Sequence, residues 1–371
     1  MAVITVVLFL AQYQIKMSKT IFLTGSTGLI GSYLLKIFLQ NGHKVYTLSR
    51  GKTDKNAHDR TVEALRFWDK ETFMRYKDNM FVLEGDIGED NLGLDAQSRE
   101  LVRSNVDEIF HCAAITDLNR PLPEMKRVNI EGTRKMLELG FETHKTGRQV
   151  RLNHISTAYV YGSYQGRFKE TDLNVGQKFE TNYEESKYQA ELLVEEYRQK
   201  GLWIDIYRPP IVIGDSLTGK TFQFKHIYQF INLCGLEIFD SLPVLGARVS
   251  LIPVDLLSEA IYRISENTKK KNRNYHVFPK KLISIEEIID IASRLMHFKK
   301  PQLILAADFH MNSLTPAQKA ILRSAVLSIN FKINLESDYT NNFLNNLGLE
   351  IPNINDALLT KVVTYFIRKS Y

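Results

Sequence analysis

The chain has 371 residues, which at roughly 150 residues per domain suggests about two domains. With 44% hydrophobic and 24% charged residues it has the composition of a folded globular protein, which excludes disordered and collagen-like classes. Lysine and arginine outnumber aspartate and glutamate 48 to 42, so the +6 formal charge admits an anionic partner without indicating nucleic acid. The two cysteines, Cys112 and Cys234, cannot build a disulfide framework, so the chain reads as intracellular and cytoplasmic. An apolar run at residues 2–11 is shorter than the ~20 residues of a membrane span. No Lys or Arg precedes it and no small-residue cleavage site follows. Residues 1–16 are therefore expected to be a dispensable extension ahead of Met17, without stable membrane insertion.

From residue 19 the pattern alternates. TIFLTG reads as a buried strand ended by glycine, and LIGSYLLKIFLQNG spaces its apolar residues at helical intervals before the stop at Asn41-Gly42. HKVYTLSRG, MFVLEGD, VDEIFHCAA, RLNHISTAYVYG and WIDIYRPPIVIG read as strands two to six. Helical patterns separate most of them, including EMKRVNIEGTRKMLELGF and YEESKYQAELLVEEYRQKG. This alternation predicts an α/β, doubly wound parallel-sheet Rossmann fold with right-handed crossovers. After Gly214 the rhythm breaks. An irregular, aromatic-rich segment at 215–250 leads back to the sheet, and residues 280–371 read as helices with polar breaks around 312–316 and 334–342. The expected division is a nucleotide-binding domain over 17–214, joined by 250–275, and a smaller, mostly helical domain over the rest of 215–371 that caps the sheet's carboxyl edge.

The first strand runs into Gly25-Ser26-Thr27-Gly28-Leu29-Ile30-Gly31, a GxxGxxG turn between strand and helix. Glycines there allow a tight turn and close approach of backbone to a pyrophosphate, which faces N–H groups at the helix N-terminus. The second strand ends Ser49-Arg50-Gly51-Lys52, with no carboxylate before Asp54 to hold a ribose 2′-hydroxyl. A guanidinium suits a 2′-phosphate, so Arg50 favours NADP over NAD. Tyr183-Glu184-Glu185-Ser186-Lys187 puts a phenol and an ammonium on one helix face. A nearby Lys⁺ favours the phenolate and makes such a Tyr a usable acid or base. The fifth strand ends Ile155-Ser156-Thr157, placing hydroxyls at a carboxyl strand end, where open sheets bind ligands.

Taken together, these residues resemble the extended short-chain dehydrogenase/reductase family, within it the thioester-reductase and fatty acyl-CoA reductase-like branch. The resemblance runs from about Ser18 to Lys220 through TGSTGLIGSYLLK, LEGDIGEDNLGL, VDEIFHCAA, RVNIEGTRKMLEL, ISTAYVYG, YEESKYQAE and IYRPPIVIGDSLTGK. LGL after the acidic GDI turn, with HCAA, points to thioester reductases over sugar-nucleotide enzymes. The resemblance implies that Gly25, Gly28 and Gly31 line the pyrophosphate, with backbone contacts from Thr27, Leu29 and Ile30. Arg50 would meet the 2′-phosphate, Asp86 and Ile87 flank the adenine, and Ala113 and Ala114 line the cofactor channel. Asn129 matches the asparagine of VNxxGT, Pro210 and Ile211 would lie by the nicotinamide, and Thr157, Tyr183 and Lys187 match the catalytic triad. The implied activity is NADPH-dependent reduction of an acyl thioester on coenzyme A or an acyl carrier protein, to the aldehyde or onward to the alcohol. A sugar-nucleotide epimerase or related oxidoreductase is the runner-up. The dehydratase variant is disfavoured because its Asp-Glu pair is replaced by Ala158-Tyr159. A non-catalytic redox sensor would have no need of the proton-transfer set.

Two other patterns compete. GDSLTGKT at 214–221 fits the phosphate-binding GxxxxGK[ST], but that reading leaves the glycine turn, Thr157 and YxxxK unexplained; Lys220 is expected in a substrate loop instead. The nine histidines show no metal-ligand spacing, so no metal is expected, and His111 and His154 are expected to pack within strands.

Overall fold

The computed structural model describes residues 18–118, 120–326 and 334–370, so the extension expected at 1–16 lies outside the described residues. Its centre is a seven-stranded parallel sheet built from β1 (Thr20–Thr24), β2 (Lys44–Ser49), β3 (Met80–Glu84), β4 (Glu108–His111), β5 (Arg151–Ile155), β6 (Trp203–Tyr207) and a late strand, β9 (Asn274–Tyr275). The order is β9-β6-β5-β4-β1-β2-β3, with every neighbouring pair parallel. The chain runs outward from β1 in one direction through β2 and β3, then returns to lay β4, β5 and β6 on the other side. The order therefore reverses between β1 and β4, which opens a crevice beyond their carboxyl ends.

Helices cover both faces, which explains why the central strands read as continuous apolar runs. On one face α1 (Leu29–Gln40) and α6 (Val254–Asn267) bury Leu34, Leu35, Phe38, Leu257 and Ile261 against Ile21 and Leu23. On the other α3 (Gly132–Lys145) and α4 (Asn182–Gln199) bury Met136, Leu137, Val194 and Tyr197 against Phe22, Ile109 and Leu152. A third core lies in the C-terminal part, where α5 (Ile227–Gly235), α7 (Ile285–Met296) and α9 (Asp356–Ser370) pack Phe230, Ile231, Ile288, Ile289, Val363 and Phe366.

Several elements differ from the sequence expectation. The sixth predicted strand is two: β6 stops at Tyr207, and β7 (Ile211–Ile213) pairs instead with β8 (Leu251–Pro253). Pro209 and Pro210 have no N–H to give a ladder, so the strand breaks there. The predicted helix around EMKRVNIEGT opens as a short turn, Leu122–Met125, and widens to a π-helical stretch, Lys126–Glu131, before α3. The expected polar break at 334–342 is helical from Asp338, within Asp338–Asn346. The C-terminal part also holds short strands: Ile283–Ser284 pairs with Arg248–Val249, and Gln302–Leu303 with Ser241–Leu242.

Candidate active site

β1 feeds directly into the glycine turn. Gly25 sits at φ +77°, and a Cβ there would come 2.7 Å from the Ala113 nitrogen on the strand-β4 loop. A Cβ on Gly31 would collide with the Gly25 carbonyl oxygen, so helix and turn pack backbone on backbone. Gly28 is the N-cap of α1; no side chain caps it and the first turn carries no acidic residue. The orphan N–H groups of that turn suit an anion. This fits the pyrophosphate of a dinucleotide.

Two confluent cavities of about 760 and 250 Å³ open at this crevice. Gly25, Gly28, Leu29, Ile30, Gly31, Arg50, Ala114, Thr157, Tyr183, Pro210 and Ile211 line the larger, and Thr27, Asp86, Ile87 and Ala113 line the smaller. Arg50 is largely exposed and lies 3.3 Å from Asp86, whose other oxygen accepts from Gly88 N–H at 2.8 Å. Arg60, which the sequence did not single out, lines the same small cavity and donates to the Arg50 carbonyl. Beneath them runs a buried hydroxyl chain, Ser26–Ser49–Thr61, with 2.9 Å links.

At the other end, Thr157 follows β5 and accepts from Tyr159 N–H at 3.3 Å, while Ala158 N–H donates to the Pro209 carbonyl at 2.8 Å. Tyr183 stands in the first turn of α4, which a capping box begins: Glu184 N–H donates to Thr181 Oγ1 at 3.2 Å and Glu184 Oε2 accepts from Thr181 N–H at 3.4 Å. Thr157 and Tyr183 both line this wall of the cleft. Burial pushes the Tyr183 phenol up to about 12, against the opposing pull of the Thr157 side chain.

Two expected site residues do not line the cleft. Lys187 is fully buried; it donates to the Ile155 carbonyl at 2.9 Å and lies 3.4 Å from His154 Nε2. Burial pulls it down to about 8, opposed by Glu191. The expected lowering of the Tyr183 value is not the net direction here: burial, the largest cause, raises it. Asn129 is likewise buried. Its side chain accepts from Ile115 N–H at 2.8 Å and donates to the Ile115 carbonyl at 3.0 Å and to Ser186 at 2.9 Å, stapling the loop after β4 to α4.

The sequence reading also missed a buried ion pair, Arg208–Glu191 at 2.6 Å, in which Glu191 accepts from Ser156 Oγ at 2.5 Å. Glu191 lies one turn beyond Lys187 on the same helix face, a signal that was there to use. Nothing local pointed to Gln223, Lys225 and His226, which return from far along the chain to line the cleft; Lys225 donates to Thr116 at 3.0 Å across it.

The P-loop pattern is resolved by geometry. Asp215 accepts from Leu217 N–H, Thr218 N–H and Thr218 Oγ1, closing residues 215–219 on themselves. No helix begins at Lys220-Thr221, the next one starting only at Ile227, and Lys220 donates to the Phe67 carbonyl. The N–H groups a phosphate would need are used internally. His111 and His154 are packed in β4 and β5, with His111 between Thr24 at 2.8 Å and Thr133 at 3.1 Å. Among the described residues no group of three or more His, Cys, Asp or Glu could hold a metal ion, and no helix is long and apolar enough to cross a membrane.

The reversed strand order, the glycine turn and the Thr157–Tyr183 pair in one cleft define an NAD(P)H-dependent oxidoreductase of the extended short-chain dehydrogenase/reductase class. The chain belongs to the male sterility protein family, whose match covers residues 23–261. In an alignment of 365 positions that covers 93% of the chain, it is 25% identical to a component of the linear gramicidin synthase of Brevibacillus parabrevis, of which the match spans 7%. Among solved structures it resembles the terminal R domain of the myxalamid PKS-NRPS pathway, with a TM-score of 0.80, 23% identity, and 95% and 91% of the two chains covered. It also resembles a thiolation-reductase di-domain from an archaeal non-ribosomal peptide synthetase, with a TM-score of 0.78, 21% identity, and 96% and 76% covered.

Proposed function

We propose that the chain reduces an acyl thioester, carried on coenzyme A or an acyl carrier protein, to the aldehyde with NADPH. The observation that carries this reading is that Thr157 and Tyr183 line the same cleft into which the glycine turn opens. Similarity to a gramicidin synthase and to a thiolation-reductase di-domain favours a carrier-bound substrate.

The dinucleotide would supply a hydride. Its pyrophosphate would lie at Gly25, Gly28 and Gly31 against Thr27, Leu29 and Ile30, its 2′-phosphate at Arg50 and Arg60, and its adenine by Asp86 and Ile87. Ala113 and Ala114 would line the channel, which Asn129 supports from behind, and Pro210 and Ile211 would lie at the nicotinamide. Thr157 and Tyr183 donate to the thioester carbonyl oxygen, where charge develops as the carbon accepts the hydride; preorganised donors are the largest stabilising effect in such steps. Tyr183 gives its proton to that oxygen. As the hemithioacetal breaks its C–S bond, its O–H proton returns to Tyr183 and the departing thiolate takes a proton from water, releasing thiol and aldehyde. Residues 17–214 with 250–275 would form the cofactor part and the remainder of 215–371 the cap over the substrate. Both cysteines are free thiols, as a reducing cytoplasm would keep them.

The test is NADPH oxidation with a panel of acyl-CoA and acyl-carrier thioesters, with products identified by mass spectrometry. Aldehyde or alcohol together with free thiol is the expected result. Turnover of a nucleotide sugar in place of every thioester would overturn it.

A further inference from the structure

An ammonium has three N–H donors and no acceptor. Two of those of Lys187 are taken by neighbouring residues of β5: Ile155 accepts through its carbonyl at 2.9 Å, and His154 faces it with Nε2 at 3.4 Å. With the ammonium as donor, Nε2 presents its lone pair and the His154 hydrogen lies on Nδ1, which is buried without a hydrogen-bond partner. The surroundings enforce a neutral ring. His154 is 0% exposed, and the groups that face it are cations or another histidine: Lys187 and Arg198 from α4, and His111 from β4, its ring centroid 5.5 Å away. Around Lys187 itself stand Glu191 on α4 and Cys112 after β4, both favouring the charged form. Two residues beyond Ile155, the same strand end delivers Thr157.

We propose that His154 is a positioning residue for Lys187: its neutral imidazole, together with the Ile155 carbonyl, fixes the ammonium so that its third N–H remains for the cofactor ribose. The proposal rests on the thioester-reductase reading, since it assigns Lys187 to that reaction. One strand end thereby sets the register of the Thr157 hydroxyl and the Lys187 ammonium together.

The test compares the unmodified protein with His154→Leu and His154→Gln, reading kcat and KM against pH at saturating NADPH. An acceptor at Nε2 favours the ammonium, so removing it makes the proton easier to lose. In His154→Leu, kcat should fall roughly tenfold or more, as expected for a lost bond to a charged group, with KM for the thioester changed little. The alkaline limb of its pH profile should move to lower pH. His154→Gln, whose side-chain oxygen can accept, should restore the limb; a folded His154→Leu with an unmoved limb would overturn the proposal. Should His154→Leu fail to fold, ring ¹⁵N spectra of the unmodified protein decide. A neutral ring with its hydrogen on Nδ1 through pH 5–9 supports the proposal, and a hydrogen on Nε2 overturns it. If the unmodified protein reduces no thioester, the functional reading fails, whereas the ring spectrum still judges the His154–Lys187 contact.

Discussion

At Tyr183 burial and the Thr157 side chain act in opposite directions, and burial wins. With the phenol pushed up to about 12 it stays protonated at neutral pH, which suits a donor to a developing oxyanion. Tyr183→Phe removes only that hydroxyl. Thioester reduction should fall by ~10²–10⁴-fold while NADPH affinity, measured by fluorescence titration, stays within about twofold. Lys187→Ala should lose turnover and weaken NADPH as well; equal NADPH affinity in both variants would remove Lys187 from the ribose. Arg50 poses a separate question. Its guanidinium is 59% exposed and meets Asp86 at 3.3 Å, a surface ion pair of small worth, so little holds it from a 2′-phosphate. Arg50→Asp should weaken NADPH by at least ~10-fold and NADH by less, since a charge-assisted contact contributes roughly 1.5–3 kcal/mol. Unmodified protein binding both nucleotides equally would show that Arg50 does not read the phosphate.

The elements were legible to different degrees. Strands β1, β2, β4 and β5 and the glycine turn could be read because short strands buried along their length alternate with amphipathic helices, and because Gly25 and Gly31 sit where a side chain has no room. The split between β6 and β7 was written in Pro209-Pro210, yet the apolar residues on either side looked like one strand. Glu191 and Arg208 were harder, because a buried ion pair between a helix and a strand end leaves no periodic trace; only the charged residue inside an apolar run hints at it. Segment 221–226 could not be placed at all, since its position in the cleft comes from a tertiary return. The GxxxxGKT loop shows the opposite risk, a pattern without its geometry. Its N–H groups close on Asp215 and Lys220 is turned to Phe67, so Lys220→Ala should leave NADPH-dependent turnover within about threefold. A steady-state assay, run beside an NTPase assay expected to show no Lys220-dependent hydrolysis, checks it.

Across the whole molecule, buried polar groups tie the cleft to the C-terminal part. From Ser156 the chain of contacts passes through Glu191 to Arg208, then to His276 Nε2 at 3.2 Å, and from His276 Nδ1 to the Glu336 carbonyl. Glu170 adds a branch, accepting from Thr340 N–H at 3.1 Å at the start of the helix Asp338–Asn346. His276 faces the Arg208 guanidinium through a lone pair and must be neutral; burial and Arg208 together lower it from an ordinary 6.5 to about 3. The sign follows. Because the folded value lies below the unfolded one, stability from this group is complete above about 6.5 and is lost as pH falls towards 3, where the unfolded chain takes up the proton first. At pH 5.5 the loss is about 1.4 kcal/mol, one pH unit below the unfolded value. His111, held near 3 by burial and Lys187, adds in the same direction. Glu184, raised by burial to about 6, opposes them as pH falls from 6 towards its ordinary 4.5. A comparison against a variant cancels these other groups. Between pH 7.5 and 5.5, denaturant unfolding of the unmodified protein should lose about 1.4 kcal/mol more than His276→Gln loses. If both proteins lose the same amount, His276 takes up its proton as readily in the folded state as in the unfolded chain, and the Arg208–His276 link between the cleft and the C-terminal part is not made.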